Sequence, residues 1–298
     1  IGGFPAGIDL DMDFIQNEMA RRRPGREFAT KRSETDIPEI LSGVLNGKTT
    51  GAPICAIIRN NDTRSSDYSQ YENIPRPSHA DYPARLRYKG FSDIRGGGHF
   101  SGRLTAPLVF AGALCKAVGA HLYSIGEVFD TPFDPVNITA DMLNTLYNKT
   151  FPVISDTSAE KMKTVISDAA DNKDSIGGII ECAVTGITGG IGSPIYCGVE
   201  NILSSILFGI PAVKGVEFGD GFGLARMYGS NANDAYRYRD GKLITETNLN
   251  GGILGGITTG MPVIFRTAIK PTPSVSKPQL TADLKTGELS ELVIKGRH

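Results

Sequence analysis

Cysteine is scarce, and it carries no metal or disulfide signature. Cys55, Cys115, Cys182 and Cys197 share no C-x-x-C spacing, so neither a zinc ribbon nor a disulfide-stapled scaffold has support. Cys115 and Cys182 lie inside apolar runs, which predicts reduced, buried thiols in a cytosolic protein. No apolar run approaches the roughly 18 residues that a membrane-spanning helix needs. No signal peptide is visible, so a cytoplasmic location without membrane contact is expected. Charge of one sign is also missing. The 31 Lys and Arg are balanced by 32 Asp and Glu, a formal net charge of -1. That balance, with no aromatic platform for stacking bases, argues against a nucleic-acid binder.

Several motifs are absent as well. There is no G-x-x-x-x-G-K-[ST] and no G-x-G-x-x-G after a strand, which removes the P-loop and the usual dinucleotide fingerprint. There is no H-E-x-x-H, no G-x-S-x-G and no paired metal-ligand spacing, so no metal is expected. Ile1 is not a natural start and KGRH is an abrupt end. Residues are therefore expected beyond both termini.

What is present points to one folded domain over residues 1–298. Hydrophobic residues make up 40% and charged residues 21%, enough for a sizeable core. The 36 Gly and 17 Pro are spread along the chain without a repeat or a linker-like shift in composition. The periodicity predicts helices over 8–22, 107–119, 139–148, 158–170 and 199–208. It predicts strands over 38–44, 52–59, 177–186, 214–219, 262–270 and 291–296. Helix and strand interleave, so the class is α/β or α+β. The segments 177–194 and 251–262 are weakly alike. They record either a duplication or two glycine-rich turns.

The chemistry concentrates in a few stretches. DIRGGGHFSGRLTAP (93–107) sets three glycines between Arg95 and the pair His99 and Arg103. Glycine allows close backbone approach, and exposed N–H groups before a helix can hold an anion. A tight turn packing strand on helix would use the same residues. EMARRRPGR (18–26) gathers Arg21, Arg22, Arg23 and Arg26. The guanidinium fork suits carboxylate and phosphate, although a run of like charge also serves as a solvated face. RPSHAD (76–81) places His79 beside Arg76, Pro77 and Asp81. A loop histidine there is a candidate proton donor, and the nearby arginine should depress its pKa. KPTPS (270–274) offers Lys270 to an anion in a loop stiffened by prolines.

Taken together, these segments resemble the chorismate synthase family over essentially the whole chain. The matching stretches, in family order, are RRRPG (21–25), LSGVLNGKTTGAPI (41–54), DTRSSDYS (62–69), RPSHADY (76–82), RGGGHFSGRLTA (95–106), DSIGG (174–178), AVKGVEFGDGF (212–222), NGGILGGITTGMP (250–262), KPTPS (270–274) and KGRH (295–298).

The resemblance implies an α+β fold, a β-α-β sandwich with a helical layer between antiparallel sheets. It implies the anti 1,4-elimination of phosphate from 5-enolpyruvylshikimate 3-phosphate to chorismate, using reduced FMN without net oxidation. It also implies a homotetramer. External supply of reduced flavin is expected, since no reductase domain is present, although some members reduce their own flavin with NADPH.

Carried over residue by residue, the family's substrate contacts fall on Arg22, Arg76, Ser101, Arg103 and Arg297. Its flavin contacts fall on His99, Phe100, Ser101, Pro211, Ala212, Gly255, Lys270, Pro271, Thr272, Pro273, Ser274 and Arg297. Its catalytic acid near the flavin falls on His79. The chain departs from the pattern at His99-Phe100-Ser101, where the family usually has Arg-Ser-Ser. It departs again at Phe28, where a second arginine is usual and Arg26 is the nearby substitute. A Gly-Glu-Ser-His-Gly motif is expected upstream of Ile1 and an aspartate after His298. Without them the protein is expected to be inactive. A flavin- or anion-binding homologue lacking turnover is the competing expectation.

Overall fold

A computed structural model describes residues 1–23, 35–59, 73–91, 93, 95–114 and 118–294. The chain divides into two compact units, Ile1–Lys116 with Pro273–His298, and Ala117–Thr272. Helices combine with antiparallel sheets, the α+β class. No helix among the described residues is long and apolar enough to cross a membrane.

In the first unit, helix α1 (Met12–Arg22) starts where Asp11 caps it, its Oδ1 accepting the Phe14 N–H at 2.9 Å. A side-chain cap satisfies an otherwise orphaned donor. The helix predicted from residue 8 therefore loses its first turn. Ile8 is exposed, whereas Ile15 and Met19 are buried. Strands β1 (Pro38–Ser42) and β2 (Cys55–Ile58) pair antiparallel, inside the predicted spans. Helix α2 (Asp81–Arg87) is short. Helix α3 (Thr105–Ala113) takes Pro107 in its first turn, where the missing N–H costs nothing. It packs Ala106, Phe110 and Ala113 against Ile15 and Met19 of α1 and against Ile54. Burying side chains of this size stabilises by roughly 1.5–3 kcal/mol for each large one. A hairpin of Gln279–Ala282 and Leu289–Leu292 belongs to the same unit.

The second unit is built on β3 (Val118–Ile125), helices α4 (Ala140–Tyr147) and α5 (Asp156–Asp171), β4 (Gly178–Val184), helix α6 (Val199–Phe208), β5 (Val213–Phe218) and β6 (Val263–Ile269). Its five-stranded sheet runs in the order Val128–Phe129, β3, β4, β6, β5, all antiparallel. Thr139 and Ser155 cap α4 and α5 with their side chains. Helix α6 lays Val199, Leu203 and Leu207 against Ile253, Val263 and Phe265. Strand β3 was not foreseen. The apolar run of α3 was expected to stay helical to residue 119, but the chain is extended from Val118.

Register sets a row of alternating charge across this sheet. His121 faces Glu181, Glu181 faces Arg266, and Arg266 faces Glu217. His121 Nε2 lies 2.9 Å from Glu181 Oε2. Arg266 donates through Nε to Glu181 Oε1 at 2.8 Å and through Nη1 to Glu217 Oε1 at 3.3 Å. Opposite charges on directly paired residues stabilise a sheet, and buried ones need such partners.

The two weakly similar glycine segments bond to each other, Gly190 N–H to Thr258 O and Thr258 N–H to Ile191 O, both at 2.8 Å. A Cβ on Gly192, at φ +109, would sit 2.2 Å from Gly256 O. Close backbone approach thus accounts for glycine there. Of the two cysteines in apolar runs, Cys182 is partly buried, packed against the Ile253, Val263 and Phe265 cluster. Burial, and then the Glu181 charge, push its thiol up to about 12. Cys55 and Cys197 are exposed, which corrects the buried-thiol reading for them, and Cys115 lies outside the described residues.

Glu181 anchors the charged row. Burial raises its pKa, but hydrogen bonds from His121 and the Phe133 N–H, with the Arg266 charge, outweigh this and hold it below the usual range. The folded value is thus below the unfolded one. The stability it contributes is present above pH about 4.3 and is lost as pH falls through the folded value. Glu181→Leu leaves Arg266 with Glu217 alone and strips His121 Nε2 and the Phe133 N–H of their buried acceptor, and should cost about 3–5 kcal/mol in denaturant unfolding at neutral pH. Its melting temperature should also fall less steeply on acidification than that of the unmodified protein.

Candidate functional site

Three sequence-distant segments of the first unit converge on one carboxylate. Asp36 is fully buried. Its Oδ1 accepts from Arg103 Nη1 at 2.9 Å, and its Oδ2 accepts from Arg22 Nη1 in a short contact. Arg22 stands in the last turn of α1, and Arg103 in a short 3-10 helix, Gly102–Leu104, just before α3. Arg22 Nε also donates to Thr105 Oγ1 at 3.2 Å, and its Nη2 to the carbonyls of Gly102 and Arg103 at 3.4 and 3.3 Å. Arg103 Nη2 donates to Arg59 O at 2.9 Å. Both arginine side chains remain 17% exposed while Asp36 is sealed beneath them.

Asp36 was not anticipated. It adopts φ +46, a left-handed conformation that aspartate tolerates better than most residues. The only sequence signal was an Asp standing two residues before Pro38, which marks a turn and says nothing about arginine partners.

The segment 76–81 folds back on itself. His79 N–H donates to Arg76 O at 3.2 Å, with Ser78 at φ +56 making the bend. Asp81, the first residue of α2, receives Arg76 through three groups: Nε to Oδ2 at 2.9 Å, Nη2 to Oδ1 at 2.8 Å, and the backbone N–H to Oδ2 at 3.0 Å. Arg76 Nη1 reaches Ser274 Oγ at 3.4 Å. Burial opposes ionisation of Asp81, yet the Arg76 and His79 hydrogen bonds win and hold it well below the usual carboxylate range. His79 Nδ1 lies 2.7 Å from Asp81 Oδ1 and 3.1 Å from Arg76 Nη2. Of the two charged neighbours that the sequence sets beside His79, Asp81 is the closer.

The glycine-rich stretch forms a 3-10 helix, Arg95–Phe100. Gly98 has φ +52, and a Cβ there would meet Asp93 O at 2.5 Å, so this glycine serves a tight turn. His99 and Phe100 are exposed, and the His99 ring lies 6.3 Å from that of Tyr88 at the end of α2. Ser101 Oγ accepts the Arg103 N–H at 3.3 Å and so helps to set the start of the Arg103 turn.

In the second unit, the residues implied as flavin contacts gather at one end of the sheet. Ala212 precedes β5 and Lys270 follows β6, and Lys270 N–H donates to Ala212 O at 2.9 Å. Pro211, Pro271 and Thr272 adjoin them in sequence. Ala212 has φ +71, which turns the chain sharply after α6. Thr272 O accepts from Ser175 Oγ at 2.7 Å. Gly255 stands apart. Gly256 O receives Val199 N–H at the start of α6, so Gly255 lies about one helix length, roughly 15 Å, from Ala212. It sits in a hairpin turn at φ +60 with nothing within 4 Å of a would-be Cβ. An ammonium, a hydroxyl and a backbone open to close approach are donor chemistry that fits a phosphorylated flavin. Pro273 and Ser274 belong to the first unit. Arg26, Phe28 and Arg297 lie outside the described residues.

The family model described as chorismate synthase matches residues 1–298. A chorismate synthase of Thermococcus kodakarensis is 46% identical over 306 residues, covering all of this chain and 84% of its own length. One of Korarchaeum cryptofilum is 45% identical over 305 residues, with the same coverage. A crystal structure of a chorismate synthase superposes with a TM-score of 0.73 at 28% identity, over 91% of this chain and 79% of that one. Matched over its whole length by the family and by such relatives, the chain belongs to the chorismate synthase family of lyases.

Proposed function

We propose that the protein removes phosphate and a ring proton from 5-enolpyruvylshikimate 3-phosphate to give chorismate, with reduced FMN bound and unchanged at the end of the turnover. The observation that carries this reading is the convergence of Arg22 and Arg103 on buried Asp36. A substrate with two carboxylates and a phosphate needs several fixed guanidinium groups, and a shared carboxylate fixes two at once. Both side chains keep part of their surface exposed, and the guanidinium fork suits carboxylate and phosphate.

The chain's own residues divide the work. Arg22 and Arg103 bind anionic groups of the substrate, and Ser101 adds a hydroxyl beside Arg103. As the C–O bond breaks, its electron pair leaves with the phosphate, whose growing charge is stabilised by fixed cations. Lys270, Thr272 and the backbone at Ala212 and Gly255 would hold FMN. When bound, reduced FMN would supply an electron-rich ring to the cleavage of the allylic C–O bond. His79 holds or moves a proton at Nε2. Assembly as a homotetramer, a cytoplasmic location and an external source of reduced flavin complete the reading. On the family resemblance alone, Arg297, His99, Phe100, Pro211, Pro271, Pro273 and Ser274 are proposed as further substrate or flavin contacts.

Anaerobic mixing of the full-length protein with substrate and dithionite-reduced FMN should release phosphate and form chorismate. FMN binding without product would instead support a homologue that binds but does not turn over. His79→Ala should leave FMN affinity largely intact and slow turnover by a factor of about 10² or more, and an unchanged rate would refute the proton role. Arg103→Ala should chiefly raise the substrate KM. Normal substrate affinity in that variant would remove Arg103 from the anion site.

A further inference from the structure

Asp81 has been described as a partner of Arg76, but its position bears on His79 as well. Asp81 Oδ1 lies 2.7 Å from His79 Nδ1, and the same oxygen accepts Arg76 Nη2 at 2.8 Å. All three side chains are largely buried, at 4% exposure for Arg76, 7% for Asp81 and 15% for His79. A bare Nδ1 would press its lone pair against an ionised carboxylate oxygen with no proton between them. The shorter contact, to the carboxylate, therefore favours Nδ1 as the donor. Arg76 Nη2, 3.1 Å from Nδ1, is a donor only; one of its two hydrogens lies on Asp81, and the other meets Nδ1 at longer range than the carboxylate does. The arginine thus does not compete for the role of proton carrier. It holds the carboxylate in place and ionised through a two-pronged fork.

We infer that Asp81 is a positioning residue for the reaction and that Arg76 acts through it. Asp81 accepts the Nδ1 proton of His79, fixes the ring, and confines proton exchange to Nε2. Arg76 thereby differs from Arg22 and Arg103, since its guanidinium organises the histidine as well as adding charge. The bend at Ser78 and the link from Arg76 to Ser274 hold this arrangement at the start of α2. The inference rests on the proposed proton role of His79, but its geometric half can be measured without any turnover.

The test is nitrogen-15 NMR of the imidazole in the full-length protein, without flavin or substrate, at a pH where His79 is neutral. The expected spectrum has a protonated Nδ1 and a bare Nε2. In Asp81→Asn, the amide nitrogen replaces Oδ1 as a donor, and the tautomer should reverse. In the same variant kcat should fall at least about tenfold, while the substrate KM stays within about threefold. Asp81→Glu should recover part of the rate. A bare Nδ1 in the unmodified protein would overturn the positioning by Asp81 and leave the proton role of His79 intact. That spectrum needs no variant to fold. A reversed tautomer with unchanged kcat would overturn the catalytic consequence. Unchanged turnover in His79→Ala would remove the proton role itself, whatever the spectrum shows.

Discussion

A carboxylate taken out of water must be paired, and most of the polar architecture of this protein follows from that constraint. Asp36, Asp81 and Glu181 are each buried or nearly so. Each is met by two cationic or potentially cationic side chains: Arg22 and Arg103, Arg76 and His79, His121 and Arg266. Stripping such a group of solvent costs several kcal/mol, which only well-aimed partners offset. The partners are thereby fixed as well. An arginine that is free on a surface loses rotamer entropy when it meets a ligand. One already clamped by a buried carboxylate has lost it on folding.

The same constraint limits how much positive charge a substrate meets. Arg22 and Arg103 are both opposed by Asp36. Arg76 is opposed by Asp81. Counting arginines in the sequence therefore overstates the field. What the carboxylates add is direction, because each holds a guanidinium at one oxygen and leaves its remaining edge oriented. In the second unit the principle serves the fold. The row from His121 to Glu217 locks the register of four strands, because a one-residue slip would set each charge against the wrong face.

Much of this was legible in the sequence, and the limits have physical causes. Helix α6 spans the predicted residues, because its apolar residues recur at helical spacing. The motif arginines were nominated because clustered guanidinium groups near glycine-rich turns suit anions. Strand β3 was missed because the apolar run of α3 continues into it, and periodicity alone does not separate a buried strand from a helix end. Asp36 was missed because its partners lie 14 and 67 residues away. Pairing at that distance is set by packing, and no local pattern announces it. Asp81 was visible beside His79, but the bend at Ser78 that brings the two together is a backbone event.

The most direct test of this account is a carbon-13 NMR titration of the Asp81 side-chain carboxyl in the folded protein. The account predicts a resonance that stays at its ionised position as pH falls through about 4, the ordinary range for aspartate. A midpoint within that ordinary range would contradict it, because the carboxylate would then not be held by Arg76 and His79.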